Sequence, residues 1–209
     1  MKKLILSVLL IPAVFSAQQT VSRDAEIANY VSQVSADSLK SHINKLVSFG
    51  TRHTMSSTTD AKKGIGAARN WVLSKFKNYA KNTDGRMEVF LQSQTIQPDG
   101  KRINQPTDLG NAIAILRGTD PNDKRIFMIG GHLDSRVSDV MNNKDFAPGA
   151  NDDGSGVGAV IESARILSQS KFPATIVFVA FSGEEQSLLG AKMLAEKAKN
   201  ENWQLEALL

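Results

Sequence analysis

Residues 174–181, ATIVFVAF, limit the fold more than any other segment of this chain. They form an almost unbroken apolar run of strand length, which is typical of a strand buried on both faces. A second such run, RIFMIG at residues 125–130, is closed by two glycines. Helical patterns follow each run, at about residues 154–168 and 188–199. This order predicts right-handed crossovers, and therefore an α/β three-layer sandwich with a mostly parallel central sheet and helices on both faces.

The upstream half carries further helix and strand patterns. Apolar residues recur at helical spacing from Leu39 to Val47, with Ser35 or Asp37 as the predicted N-cap. A second helix is predicted to begin within residues 57–60 and to reach Tyr79, and strands are predicted at residues 87–95 and 111–117. His42 lies off the apolar stripe, which predicts a surface position. His53 has no acidic residue near it in sequence, so we favour no ligand role for it.

The first 17 residues have the layout of a secretory signal peptide. Lys2 and Lys3 precede an apolar run at residues 4–15, and Ser16 and Ala17 follow it. The run is too short for a membrane span, which needs about 20 residues. We therefore expect a secreted or periplasmic protein with no membrane association after signal removal. Residues 18–209 are long enough to form one domain with a substantial core, and nothing in them argues for two.

Charge and cysteine content exclude several classes of partner and site. The formal net charge is +4, and it falls to +2 when Lys2 and Lys3 of the predicted signal peptide are left out. The remaining lysines and arginines are scattered among acids, so we expect no nucleic-acid partner. The chain has no cysteine, which excludes disulfides, a thiolate nucleophile and thiolate metal ligands.

The motif GGHLDS ends the second apolar run and supplies a candidate metal ligand. His132 and Asp134 are two residues apart, and residues at that spacing on a strand point the same way. A metal-binding histidine usually gives its other ring N–H to a carboxylate or carbonyl oxygen. His-x-Asp suits this pairing, although a single histidine near a strand end is more often solvated or buried without a metal.

Two acidic pairs strengthen the case for a metal site. PGANDDGSG places Asp152 and Asp153 in the turn before a helix, and FSGEEQSLLG places Glu184 and Glu185 just after the buried strand. Each pair alone fits ordinary turn chemistry or a helix macrodipole. Ligands of open α/β sheets, however, bind outside the carboxyl ends of the strands, where these residues can converge with His132. Histidine with carboxylates and no cysteine suits catalytic Zn²⁺ or Mn²⁺.

In this order and context, GGHLDS, PGANDDGSG and SGEEQSLLG closely resemble the di-zinc exopeptidase family that includes bacterial leucyl aminopeptidase, aminopeptidase Y and glutamate carboxypeptidase II. The segment SFGTRHT is similar to the usual start of its catalytic domain. The resemblance implies a peptide substrate and two Zn²⁺ ions. It implies that His132 binds one zinc, Asp152 bridges both, and Glu185 binds the other. Glu184 is then the general base, and Asp134 is the partner of His132.

The family pattern also contains an aspartate and a histidine ligand further along, which the 209 residues do not include. The resemblance therefore implies that residues 18–209 are the N-terminal part of a single zinc-peptidase catalytic domain, with a zinc-exopeptidase-like fold truncated at its C-terminus, from a secreted metallo-aminopeptidase. Two alternatives stay open: a catalytically inactive truncated or binding domain of the same fold, and a glutaminyl-peptide cyclotransferase. Substrate side-chain preference, metal identity and oligomeric state are not determined by these residues.

Overall fold

The computed structural model describes residues 23–209, so the predicted signal peptide lies outside the described residues. Within this range, no helix combines the length and the apolar character that crossing a membrane requires. The five helices and five strands occur in this order: α1 Ala25–Ser32, α2 Ala36–Val47, α3 Gly64–Ala80, β1 Met87–Ile96, β2 Thr107–Leu116, β3 Arg125–His132, α4 Ser155–Leu167, β4 Thr175–Phe181, α5 Leu189–Asn200 and β5 Gln204–Leu208.

The strands form one mixed sheet in the order β1-β2-β4-β3-β5. Strand β3 pairs in parallel with both β4 and β5, whereas β2 is antiparallel to β1 and to β4. Four of the five strands thus point in one direction, which confirms the predicted α/β architecture. The reversal of β2 follows from its connection: residues 97–106 contain no crossover helix, and a short link of this kind joins antiparallel neighbours.

Strand β4 is buried on both faces, as its composition predicts. Phe178 and Ala180 pack into a core with helices α2, α3 and α4. Val177 and Val179 pack on the opposite face, in a second core that includes Leu194 of α5. The sheet is therefore the middle layer of three, and its interior strand is covered by helices on each side.

Two local predictions about helices were wrong. Helix α3 begins at Gly64, because Ser57 and Asp60 accept backbone N–H groups of the preceding turns instead of capping a helix. His42 is buried, not exposed, because α2 packs against α4 and the His42 ring makes a T-shaped contact with Trp71 of α3. Burial is the main cause that lowers the pKa of His42. The cap predicted at Ser35 is confirmed, since its side chain accepts the Ser38 N–H at 3.1 Å.

We predict that Phe178→Ala lowers the free energy of unfolding by about 3–5 kcal/mol, because it removes a fully buried ring from the core that joins β4 to the helices. Urea unfolding measures this loss. Phe146→Ala is the matched control: its ring is 65% exposed, so the loss should stay below ~1 kcal/mol. Equal losses for the two variants would contradict the assignment of the core.

Candidate metal centre

The candidate site lies where β3 and β4 end side by side. His132 is the last residue of β3 and is paired with Phe181, the last residue of β4. The Leu133 N–H donates to the Phe181 carbonyl oxygen at 2.6 Å and continues the pairing one residue further. Because both strands run in parallel, the segments that follow them begin at the same edge of the sheet. GGHLDS and SGEEQ therefore meet there.

The His132 ring is held in one orientation by the residues around it. Its Nδ1 lies 3.1 Å from the Asp134 carbonyl oxygen, an atom that can only accept, so Nδ1 carries a hydrogen. Its Nε2 lies 2.8 Å from Oδ1 of Asp152 and 3.9 Å from Oε2 of Glu184. Burial by itself lowers the pKa of His132, but the charges of Asp134, Asp153 and Glu184 outweigh it and raise the pKa.

The adjacent aspartates Asp152 and Asp153 have different surroundings. Asp153 accepts the backbone N–H groups of His132 at 2.9 Å and of Gly156 at 2.8 Å, so its carboxylate ties the end of β3 to the start of α4. Asp152 has a side chain that is 79% exposed and contacts the His132 ring. Of the two carboxylates, Asp152 is the one that is available to a ligand.

Asp134 connects the two strand ends through its side chain. The carboxylate is fully buried and accepts the N–H groups of Glu184 at 3.2 Å and Glu185 at 3.1 Å. Thr54 donates its hydroxyl to the same carboxylate at 3.0 Å. The distance from Oδ1 to His132 Nδ1 is 3.8 Å, so the two side chains interact by charge, and the hydrogen bond of the ring goes to the carbonyl group instead. Burial is the main cause that raises the pKa of Asp134.

The two glutamates point to different neighbours. Glu184 faces His132, whereas the Glu185 carboxylate accepts a hydrogen bond from Arg136 Nε at 2.6 Å. The structure therefore brings His132, Asp152 and Glu184 together and directs Glu185 towards Arg136. Among residues 23–209, no group of three or more His, Asp and Glu side chains has an arrangement that could hold a metal ion without rearrangement. The ligand roles predicted for His132, Asp152 and Glu185 stay predictions.

The donor set nevertheless fits a cation. With a hydrogen on Nδ1, the neutral His132 ring presents a lone pair at Nε2 to the carboxylate of Asp152. Two acceptors at this distance repel each other unless a proton or a cation lies between them. An imidazole nitrogen and carboxylate oxygens are ligands that Zn²⁺ accepts. The arrangement can thus take a cation at Nε2 of His132, and the Glu184 carboxylate lies 3.9 Å from the same nitrogen.

Arg52 is a positioning residue that the sequence did not reveal. Its guanidinium is almost fully buried and donates to the carbonyl oxygens of Leu133 at 2.7 Å, Pro148 at 2.7 Å and Gly149 at 2.8 Å. Burial lowers the pKa of Arg52 to about 10, which the charges of Asp134 and Asp153 partly oppose. Arg52 thereby fixes the loop that leads to Asp152 against the segment that follows β3.

His53 and Thr54 extend this role to the loop after β4. The Thr54 hydroxyl, which donates to Asp134, also contacts the side-chain amide of Gln186. The His53 ring is fully buried, with Nε2 at 3.1 Å from the Val140 carbonyl oxygen and 3.2 Å from Nε2 of Gln186. The motif SFGTRHT was the one signal for these residues. Spacing along the sequence could not assign roles to His53 and Thr54, because their hydrogen-bond partners lie 80 or more positions away.

Comparisons with known proteins indicate which family and fold the chain resembles. Residues 111–209 match the model of Peptidase family M28, which confirms the predicted resemblance. A probable zinc metalloprotease of Pyrenophora teres f. teres is 46% identical over 187 residues, which are 89% of this chain and 40% of that relative. The chain thus spans well under half the length of this curated relative.

Solved structures show the same fold. The LapA aminopeptidase of Legionella pneumophila aligns with a TM-score of 0.68 at 20% identity, covering 100% of this chain and 50% of that one. The glutaminyl cyclase of Porphyromonas gingivalis aligns with a TM-score of 0.62 at 24% identity, covering 83% and 59%. The predicted zinc-exopeptidase-like architecture is confirmed by these likenesses.

We predict that Arg52→Met lowers the free energy of unfolding by about 3–5 kcal/mol, because it leaves several buried carbonyl oxygens without their donor. Arg125→Met is the control. The Arg125 side chain is 52% exposed and pairs with Asp123 at the surface, so its loss should cost below ~1 kcal/mol. Urea unfolding of both variants checks this, and a small effect at Arg52 would show that water can replace the guanidinium.

Proposed function

We infer that this chain carries part of the catalytic domain of a zinc-dependent peptidase of family M28, one that removes residues from the amino-terminal ends of peptides. The observation that carries this inference is the meeting of His132 Nε2 with the Asp152 carboxylate, beside Glu184 at the ends of β3 and β4. The M28 match over residues 111–209 supports the same reaction class. Since the chain spans only part of the length of its relatives, the activity of the whole protein is itself part of this proposal.

Each residue has a distinct task in this proposal. His132, Asp152 and Glu185 would hold zinc, and Asp152 would be the ligand common to both ions of a two-zinc site. Bound zinc supplies a Lewis acid for the scissile carbonyl and lowers the pKa of a water. Glu184 would act as the general base that takes a proton from the attacking water and passes it to the leaving amine, because its carboxylate lies beside the proposed ligands and is only partly buried. Asp134 holds Glu184 and Glu185 through their backbone N–H groups.

Export from the cytoplasm is part of the proposal. It is supported by the two lysines, the apolar run and the small residues of the first 17 positions. The absence of cysteine is compatible with either a secreted or a periplasmic location, because the fold has other means of stabilisation. Arg52 and Asp134 already bind the site segments together without a covalent link.

A glutaminyl cyclase is the second candidate, favoured by the fold likeness to the Porphyromonas gingivalis enzyme. Peptide hydrolysis is preferred because the relative with 46% identity is named a zinc metalloprotease and the M28 match covers all of the acidic motifs. A peptide that begins with glutamine separates the two. Release of free glutamine supports the peptidase, and formation of a pyroglutamyl peptide supports the cyclase.

We predict that the protein binds zinc and hydrolyses an amino-acid p-nitroanilide, and that a chelator abolishes the hydrolysis. Asp152→Asn should lower both zinc occupancy and turnover, because it removes a charged ligand beside His132. Asp145→Asn is the matched control, since Asp145 is an exposed acid in the preceding loop. Metal analysis and nitroaniline absorbance give the two readouts. A metal-free but active protein would contradict the proposal.

The two glutamates should separate zinc binding from catalysis. Glu184→Gln should lower kcat by roughly 10²–10⁴-fold and leave zinc affinity unchanged, because the general base is lost and the ligands are kept. Glu185→Gln should lower zinc affinity. Kinetics at saturating substrate, combined with zinc titration against a chromophoric chelator, distinguishes the two effects. The reverse result would exchange the assigned roles.

A further inference from the structure

Glu185 is held from three sides, and two of the contacts come from arginines. Its N–H donates to the Asp134 carboxylate at 3.1 Å, and its carbonyl oxygen accepts from a terminal nitrogen of Arg102 at 2.7 Å. Its carboxylate accepts from Nε of Arg136 at 2.6 Å and is only 14% exposed. Two contacts fix the backbone of Glu185, and the Arg136 contact alone fixes the carboxylate.

Arg136 is itself held in place. One of its terminal nitrogens donates to the carbonyl oxygens of Val137 at 3.1 Å and Ser138 at 3.3 Å, so the guanidinium is fixed to the loop after β3. The 2.6 Å hydrogen bond from Arg136 to the Glu185 carboxylate is charge-assisted, and such bonds are among the stronger polar contacts in proteins. Arg136 thus connects the loop after β3 to the Glu185 carboxylate, which follows β4.

The contact leaves half of the carboxylate available. Arg136 occupies Oε2 of Glu185, and no side chain or backbone donor within residues 23–209 bonds to Oε1. A carboxylate that is held at one oxygen presents the other in a defined direction. Hydrogen-bonded partners of this kind orient metal-ligating side chains.

We propose that Arg136 is a positioning residue, which orients the Glu185 carboxylate for metal binding. The proposal rests on the proposed function of Glu185 as a zinc ligand. Two effects of the guanidinium oppose each other: it orients the ligand, and its positive charge repels a cation. Orientation dominates because the Arg136 charge is already paired with Glu185 and with two carbonyl oxygens.

Zinc affinity of the protein, measured by competition with a chromophoric chelator, tests this proposal. Arg136→Gln should weaken zinc binding by roughly 10–100-fold, the usual cost of losing such a partner. Arg125→Gln makes the same change in charge at the other end of β3 and should change affinity by less than about twofold. In an E185Q background, Arg136→Gln should cause no further loss, because Arg136 acts through that carboxylate.

Three outcomes would overturn the proposal. Unchanged or tighter zinc binding by Arg136→Gln would show that Arg136 does not orient the ligand, or that it competes with the metal. An equal loss in the E185Q background would show that Arg136 acts elsewhere. A parent protein that binds no zinc would reject the proposed function and this proposal together, whereas failure of the Arg136 variant alone rejects only the latter. If Arg136→Gln does not fold, Arg136→Lys carries the same expectation, because one ammonium group cannot reproduce the planar guanidinium contacts.

Discussion

The site depends on one fully buried carboxylate, that of Asp134. Placing a charge in a protein interior costs several kcal/mol unless it is compensated by hydrogen bonds. Here two backbone N–H groups and one hydroxyl supply the compensation, and they belong to segments far apart in sequence. Because the carboxylate needs these donors, the backbone of Glu184 and Glu185 is drawn to the end of β3. The chemistry of two strands is thereby brought to one place.

The segment from Thr51 to Thr54 provides the remaining connections. Arg52 binds the loop before Asp152, and Thr54 binds both Asp134 and Gln186. A short stretch that supplies none of the proposed ligands thus contacts all three segments that do. Such a connection replaces the disulfides that a chain without cysteine cannot form. The contacts of this segment also explain why buried polar side chains lie next to the site, whereas the helices and the sheet pack around an apolar core.

Sequence patterns predicted the architecture in the segments whose structure is determined by the burial of apolar side chains. The apolar composition of β4 was enough to predict a strand covered on both faces, and the order of elements placed the acidic pairs at strand ends. The buried position of His42 and the role of Arg52 could not be predicted, because each depends on a tertiary neighbour: Trp71 for His42 and the loop carbonyl groups for Arg52. The direction of Glu185 towards Arg136 was likewise beyond sequence patterns, since it is a choice of side-chain conformation.

Strand β3 crosses the beginning of α4 at Gly131, and the contact there is made by backbone. A β-carbon at this position would lie 2.7 Å from the carbonyl carbon of Gly156 and 3.1 Å from the Asp153 carboxylate. Any larger residue must therefore push the helix outward and disturb the carboxylate that holds the His132 backbone. A position with no functional group is thus as sensitive as a ligand, and a saturation mutagenesis screen scored by activity alone would mistake this steric requirement for a chemical one.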